Sequence, residues 1–165
     1  MARQARHTLP QVTLLGKVST YEELLPHLIK AEAKGRVWAY EQVSNPDRLN
    51  LFPTDLDVYE LHKVMFADIF SWAGQVRLED RGPAGICNVP WNQIRQELRI
   101  RFDNLAARAA GLDLENATDI ELLNVAELTA QMHHDFQYVH PFADTNGRTG
   151  RVLDHYSVMG NLRTR

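Results

Sequence analysis

Residues 140–151 read His-Pro-Phe-Ala-Asp-Thr-Asn-Gly-Arg-Thr-Gly-Arg, a polar stretch followed by an apolar run. The pattern predicts a loop that leads into a helix N-terminus, where unpaired N–H groups and the helix dipole attract anions. Arg148 and Arg151 would lie on one face of the first turn and could converge on phosphate. His140 is a candidate general base, and Asp144 is a candidate ligand for a hard cation. This combination indicates phosphoryl or nucleotidyl transfer.

Each residue of this stretch also has a purely structural explanation. His140 could be a solvent-facing histidine, and Asp144 and Asn146 could be turn formers. The two arginines could belong to a solvated helix face. Their order favours the functional interpretation. The chain presents in succession a base, an apolar anchor, an acid, an Asx-Gly turn and two arginines at the start of a helix.

Two adjacent histidines, His133 and His134, raise the alternative of a zinc site. Zinc-binding histidines on a helix usually lie four residues apart, whereas adjacent side chains point about 100° apart. We therefore expect one of the pair to pack inward and the other to be exposed. Asp144 suits Mg²⁺ better, since this ion takes few carboxylates and completes its shell with water and phosphate oxygens.

Composition limits the classes of protein that fit. The chain has 165 residues, 44% of them hydrophobic, and a formal net charge of −3. This favours one folded domain and argues against direct nucleic-acid binding. The single cysteine, Cys87, excludes an internal disulfide. No secretory signal or long apolar run occurs, so we expect a soluble cytoplasmic protein with no membrane partner. P-loop and Gly-x-Ser-x-Gly motifs are also missing from the sequence.

Local patterns predict a mostly helical, all-α domain with one β-hairpin. Residues 1–19 are expected to form a flexible tail, and residues 44–55 a loop. Thr20 with Glu23 and Thr118 with Glu121 have capping-box spacing. Pro26 leaves open a helix start near Pro26, with residues 20–24 as a separate turn. Residues 76–89 are predicted to form the hairpin, and GLDLEN another loop.

Helical periodicity identifies the expected core. The apolar positions are Leu24, Leu25, Leu28, Ile29, Leu61, Val64, Met65, Ile69, Ile94, Leu98, Phe102, Leu105, Leu122, Val125, Leu128, Met132, Phe136, Val152, Leu153, Tyr156 and Met159.

Residues 140–151 resemble the signature of Fic-domain (filamentation induced by cAMP, or Fido) proteins, His-Pro-Phe-x-Asp/Glu-Gly-Asn-Gly-Arg-x-x-Arg. Eight of its nine specified positions match. Upstream, residues 70–77 are similar to the Trp-Ala-Gly-x-x-Arg segment that precedes the family's hairpin, called the flap. The resemblance covers roughly residues 20–160, and it implies a Fic domain over residues 20–165 in which the C-terminal helices are expected to be short or truncated.

The resemblance implies a helical core with a β-hairpin flap and an adenylyltransferase (AMPylation) activity, which moves AMP from ATP to a hydroxyl of a target protein. It implies that His140 is the base and that Asp144 holds Mg²⁺. Thr145, Asn146 and Gly147 would form the anion hole, with Arg148 and Arg151 on the phosphates. Strand-type pairing would hold the target on the flap residues Gly85, Ile86, Cys87, Asn88 and Val89. A bacterial toxin–antitoxin setting, with an antitoxin or inhibitory partner chain, is also implied.

Two features depart from the family pattern. Thr145 replaces the first glycine of the Gly-Asn-Gly turn, and its side chain is expected near the phosphates. Only 14 residues follow Arg151. The way in which the activity is inhibited is a separate question, for which self-inhibition through Glu23 is one option and a separate antitoxin chain is another. These departures leave open a degenerate member that binds nucleotide or partner without turnover, or a relative that transfers another nucleotide or a phosphate.

Overall fold

The computed structural model describes residues 14, 16, 18, 20–47, 52–82, 85–110, 112 and 118–162, with only the main chain of 81–82, 85–86 and 161–162. Five α-helices occur in these ranges: α1 (Tyr21–Ser44), α2 (Asp55–Phe66), α3 (Ile94–Ala109), α4 (Asp119–Val139) and α5 (Asn146–Leu162). None of them combines the length and apolarity needed to span a bilayer. The predicted all-α core is confirmed.

Helix α1 begins at the predicted capping box. The Thr20 hydroxyl accepts a hydrogen bond from the Glu23 N–H at 3.2 Å, and the Glu23 carboxylate accepts from the Thr20 N–H at 3.4 Å. The helix then continues through Pro26, so the alternative start near Pro26 is wrong. Proline removes one helical hydrogen bond, but the cap and the burial of Leu24 and Leu28 offset this loss.

Helix α2 begins inside what the sequence predicts as a loop. Thr54 and Asp57 form a reciprocal cap, with N–H to oxygen distances of 2.7 and 3.3 Å. The sequence signal was missed because aspartate replaces the usual Glu or Gln at this position. In α4, by contrast, the predicted cap of Thr118 and Glu121 is confirmed.

The central helix is α5, which packs against α1 on one side and α4 on the other. Helix α2 packs on α1, and α3 on α4. Gly35 permits the close crossing of α1 and α2, because an added Cβ would lie 2.8 Å from two atoms of Met65 and 3.3 Å from Leu61.

Most of the predicted core positions are buried. Ile29, Val64 and Leu122 are exposed, at 58%, 36% and 37%, and Leu25 and Met159 are half-buried. Val64 lies at the edge because the buried stripe of α2 is centred on Leu61 and Met65. The confirmed positions include Leu24, Leu28, Ile69, Ile94, Leu98, Phe102, Leu105, Val125, Leu128, Met132, Phe136, Val152, Leu153 and Tyr156.

Between α2 and α3, two short strands pair antiparallel: β1 (Arg81–Gly82) with β2 (Gly85–Ile86). Residues 83–84 lie outside the described residues. The use of this segment as a target-docking flap stays a prediction.

The predicted tail and the GLDLEN loop fall largely outside the described residues. Among the described positions of the tail, the Leu14 N–H donates to the Ile69 carbonyl at 2.7 Å. Val18 packs against the core.

Gly35→Leu is expected to lower the free energy of unfolding by about 1–3 kcal/mol, because the new side chain would separate α1 from α2. Urea unfolding followed by circular dichroism measures this loss. Ala33→Leu, on the exposed side of the same helix, is the control and should change stability by less than about 0.5 kcal/mol. Equal effects of the two changes would contradict the close crossing.

Candidate functional site

The loop that joins α4 to α5 is locked by its own side chains. His140 ends α4 with φ 49° and ψ 61°, in the left-handed region that turns the chain out of the helix. The Asn146 side chain then accepts from the Phe142 N–H at 3.0 Å and donates to the Phe142 carbonyl at 2.8 Å. Asn146 is therefore fully engaged within the loop, so its contact with an anion would come from its main chain.

Arg77 connects this loop to the hairpin segment. Its buried guanidinium donates to the carbonyls of His140 at 2.9 Å and Glu79 at 2.6 Å, and also to that of Val89. Its main-chain N–H donates to the Pro141 carbonyl at 2.9 Å. One side chain thus fixes the entry of the loop and both sides of the hairpin.

The environment of His140 favours the neutral, proton-accepting imidazole. Partial burial and the charge of Arg77 lower the pKa of His140, outweighing Asp144 and a hydrogen bond with the Gln137 backbone, which raise it. A neutral imidazole near neutral pH is the form that a general base requires.

Asp144 is the carboxylate of the loop and is half-buried. One of its oxygens accepts from the Thr145 N–H at 2.6 Å. No cluster of three or more His, Cys, Asp or Glu side chains that could hold a metal occurs among the described residues. A lone carboxylate still fits Mg²⁺, which binds through one or two carboxylates together with phosphate oxygens.

Thr145 is a buried residue with a left-handed main-chain conformation. Its φ is 64°, and it is only 9% exposed. The hydroxyl donates to the Asp144 carbonyl at 2.6 Å and lies 2.9 Å from Nε2 of His62. The hydroxyl turns into the protein, where it finds its hydrogen-bond partners, and an effect of Thr145 on an anion site stays a prediction.

His62 is a fully buried residue of α2 that the sequence did not single out. Its ring stacks on Phe142 at a centroid distance of 3.7 Å and on Trp72 at 5.6 Å. Burial lowers the pKa of His62 to about 3, against a smaller opposing effect of a hydrogen bond with the Asp144 backbone. The imidazole is neutral at physiological pH.

The start of α5 is open to a ligand. Its first N–H groups, at Asn146 and Gly147, have no partner within the helix. Nothing lies within 4 Å of a Cβ built on Gly147, and its φ is not in the left-handed region. Neither packing nor conformation requires glycine there. The missing side chain instead leaves the helix N-terminus accessible, as anion binding requires.

The two arginines of the loop meet at one carboxylate. Arg148 and Arg151 contact the same oxygen of Glu32, in α1, at 3.2 and 3.1 Å. Arg148 also donates to the Tyr21 hydroxyl at 3.1 Å. Partial burial opposes ionisation of Glu32, but hydrogen bonds from Arg151 and Arg36 outweigh it and lower its pKa.

Glu23, one of the two inhibitory options, caps α1, and the carboxylate that contacts the two arginines is that of Glu32. A weak signal existed: Glu32 is four residues after the buried Leu28 and three before the buried Gly35. A charged side chain beside the inward face of a helix needs a partner.

The histidine pair of α4 does not form a metal cluster within the described part of the chain. His133 Nδ1 lies 2.8 Å from an Asp154 oxygen, so this partly exposed histidine pairs with α5 instead of packing inward. His134 is exposed and stacks on Tyr138 at 6.2 Å.

The residues after the second hairpin strand differ in their exposure to solvent. The Cys87 N–H donates to the Asp80 carbonyl at 2.9 Å, extending the strand pairing by one bond. Asn88 is exposed, whereas Val89 is 3% exposed and belongs to the core. The exposure of Gly85 and the side chain of Ile86 lie outside what the structure describes.

Fold and site together define a helical domain whose functional loop combines a histidine, a carboxylate and an open helix N-terminus flanked by arginines. The chain belongs to the Fic/DOC family, whose family model matches residues 53–157. A search of curated proteins finds no match.

The solved structures that resemble this chain include two of the N-terminal Fic domain of a VirB-translocated Bep effector protein from Bartonella quintana. One is 19% identical with a TM-score of 0.65, covering 90% of this chain and 69% of that chain. The other, with bound ADP, is 20% identical with a TM-score of 0.58, covering 92% and 72%. At this identity the likeness supports the fold.

We expect the stability of the protein to fall as the pH drops from 6.5 to about 3, by about 1.4 kcal/mol per pH unit from His62 alone. The folded state keeps His62 neutral, whereas the unfolded chain binds a proton below pH 6.5, so acid favours unfolding. Urea unfolding at several pH values measures the slope. His62→Gln removes the titration and should have a shallower slope; identical slopes would contradict the assignment.

Proposed function

We propose that this protein is an adenylyltransferase that moves AMP from ATP to a Ser, Thr or Tyr hydroxyl of a target protein. The observation that carries the proposal is the convergence of Arg148 and Arg151 on one oxygen of Glu32, beside the start of α5. The carboxylate oxygen is a stand-in for a phosphate oxygen, since both are anionic acceptors for guanidinium groups. Family membership and the ADP bound to a similar Fic domain support a nucleotide as the ligand.

In the proposed reaction, His140 accepts the proton of the target hydroxyl as its oxygen bonds to the α-phosphorus. The bond from that phosphorus to the bridging oxygen breaks, and pyrophosphate leaves. The lowered pKa of His140 keeps the imidazole ready to take the proton.

The remaining loop residues stabilise charge. Main-chain N–H groups of Asn146 and Gly147, together with the two arginines, would neutralise the phosphates. Asp144 would hold Mg²⁺, which supplies electrostatic stabilisation of the phosphate oxygens when bound. Thr145 does not interfere, because its side chain is buried.

The partner would be a protein segment docked on the hairpin. Strand addition uses main-chain hydrogen bonds and tolerates varied sequences. The pairing of β1 with β2 supports this part of the proposal.

Incubation with Mg²⁺, lysate and ATP labelled at the α-position should label a protein target. We expect His140→Ala to reduce labelling by about 10²–10⁴-fold, the usual contribution of a general base. His140→Asn is the matched control for backbone strain, because asparagine tolerates the left-handed conformation better than alanine. Both variants should lose labelling and keep their helical circular dichroism.

Other outcomes would overturn specific parts of this proposal. Near wild-type labelling by both variants would remove His140 as the base. A parallel reaction with ATP labelled at the γ-position tests the alternative, and label transferred from this ATP but not from the α-labelled ATP would identify phosphate transfer. ATP binding without any labelling would identify a protein that binds nucleotide without turnover.

Glu32→Gln is expected to strengthen ATP binding by about three- to tenfold, because it removes a negative charge that competes with phosphate for two arginines. Isothermal titration calorimetry with Mg²⁺-ATP measures the change. Glu41→Gln, an exposed position of the same helix, should leave affinity unchanged. Weaker binding by Glu32→Gln would mean that Glu32 holds the arginines in place for the nucleotide and does not compete with it.

A further inference from the structure

Thr145 has a main-chain conformation that its side chain disfavours. Its φ of 64° lies in the left-handed region, which is unfavourable for a β-branched residue. Such a residue keeps this conformation only where surrounding contacts hold it there. The contacts of Thr145 therefore bear on the geometry of the whole loop.

A chain of hydrogen bonds through His62 supplies the restraint. The Gly74 N–H donates to Nδ1 of His62 at 2.8 Å, so Nδ1 carries no proton. Nε2 of the neutral ring then carries the hydrogen and donates to the Thr145 hydroxyl at 2.9 Å. The hydroxyl hydrogen in turn goes to the Asp144 carbonyl at 2.6 Å. The Gly74 N–H thus fixes the tautomer of the His62 ring, and the Nε2 hydrogen faces the Thr145 hydroxyl and the Asp144 backbone.

The restrained residue connects the two halves of the site. Thr145 follows Asp144 directly, and its carbonyl accepts from the N–H groups of Arg148 and Thr149, both at 3.0 Å. The conformation of Thr145 consequently sets the direction of the first turn of α5. A change in φ at this position would move the carboxylate relative to the helix N-terminus.

We propose that His62 is a positioning residue for the anion-binding loop, holding the left-handed turn at Thr145 through the hydroxyl of that residue. The ring is suited to this because Phe142 and Trp72 stack on it and Gly74 fixes its rotation. The link from loop position to nucleotide binding rests on the proposed function; the restraint itself does not.

The test compares His62→Asn alone with His62→Asn combined with Thr145→Gly or with Thr145→Ala. Asparagine can still accept from the Gly74 N–H but is too short to reach Thr145. Amide exchange at Arg148 and Thr149, measured by NMR without nucleotide, should become about tenfold faster once the left-handed turn is unsupported. Adding Thr145→Gly should restore slow exchange, since glycine adopts positive φ freely. Adding Thr145→Ala should not, although it removes the same hydroxyl.

The two double variants distinguish a positioning role of His62 from a packing role. Both lose the same ring atoms of His62, and they differ only in whether residue 145 adopts positive φ freely. Equal exchange in the two double variants, or unchanged exchange in His62→Asn, would overturn the proposal. Exchange in α3 is the internal reference for global stability. Should His62→Asn fail to fold, Thr145→Val beside Thr145→Ser tests the same hydrogen bond, with faster exchange expected only for valine.

Affinity for Mg²⁺-ATP should follow the same order in these variants, with about tenfold weaker binding for His62→Asn and recovery with Thr145→Gly. If the wild-type protein does not bind Mg²⁺-ATP, the proposed function is wrong. The exchange series would still decide the role of His62.

Discussion

The buried guanidinium of Arg77 is the interaction on which the rest of the site depends. It donates to carbonyls at the end of α4 and on both sides of the hairpin segment. A planar fork with five donors can satisfy several carbonyls that would otherwise be buried without partners. The hairpin and the loop after α4 are therefore fixed relative to each other by one side chain, whose charge also lowers the pKa of His140.

Two left-handed residues define the loop that Arg77 supports. His140 turns the chain out of α4, and Thr145 turns it into α5. Each is held from outside the loop, His140 by Arg77 and Thr145 by His62. Backbone strain of this kind persists at functional sites when surrounding contacts determine it. These contacts also explain how threonine can stand where the family pattern has glycine. Glycine adopts a positive φ freely, whereas Thr145 is held at positive φ by the hydrogen bonds of its hydroxyl.

The positive charge of the site is partly neutralised within the chain. Glu32 reaches both arginines from α1, which packs along α5. The two guanidinium groups point to one oxygen of Glu32. If this carboxylate moved away, the same two groups would be placed to bind a phosphate oxygen. Electrostatic competition between an internal carboxylate and a nucleotide follows from Coulomb's law at short range. In the proposed function, affinity for nucleotide would therefore depend on α1 as well as on the loop.

The sequence by itself determined the helical class, two of the three described capping boxes, most of the buried positions and the loop with His140, Asp144 and the arginines. These features depend on residues within a few positions of each other, where spacing reports local geometry. The contacts of Glu32 and His62 with this loop were visible only in the tertiary structure. They contact the loop across 116 and 83 residues of chain, and no local spacing encodes which distant side chain arrives when helices pack.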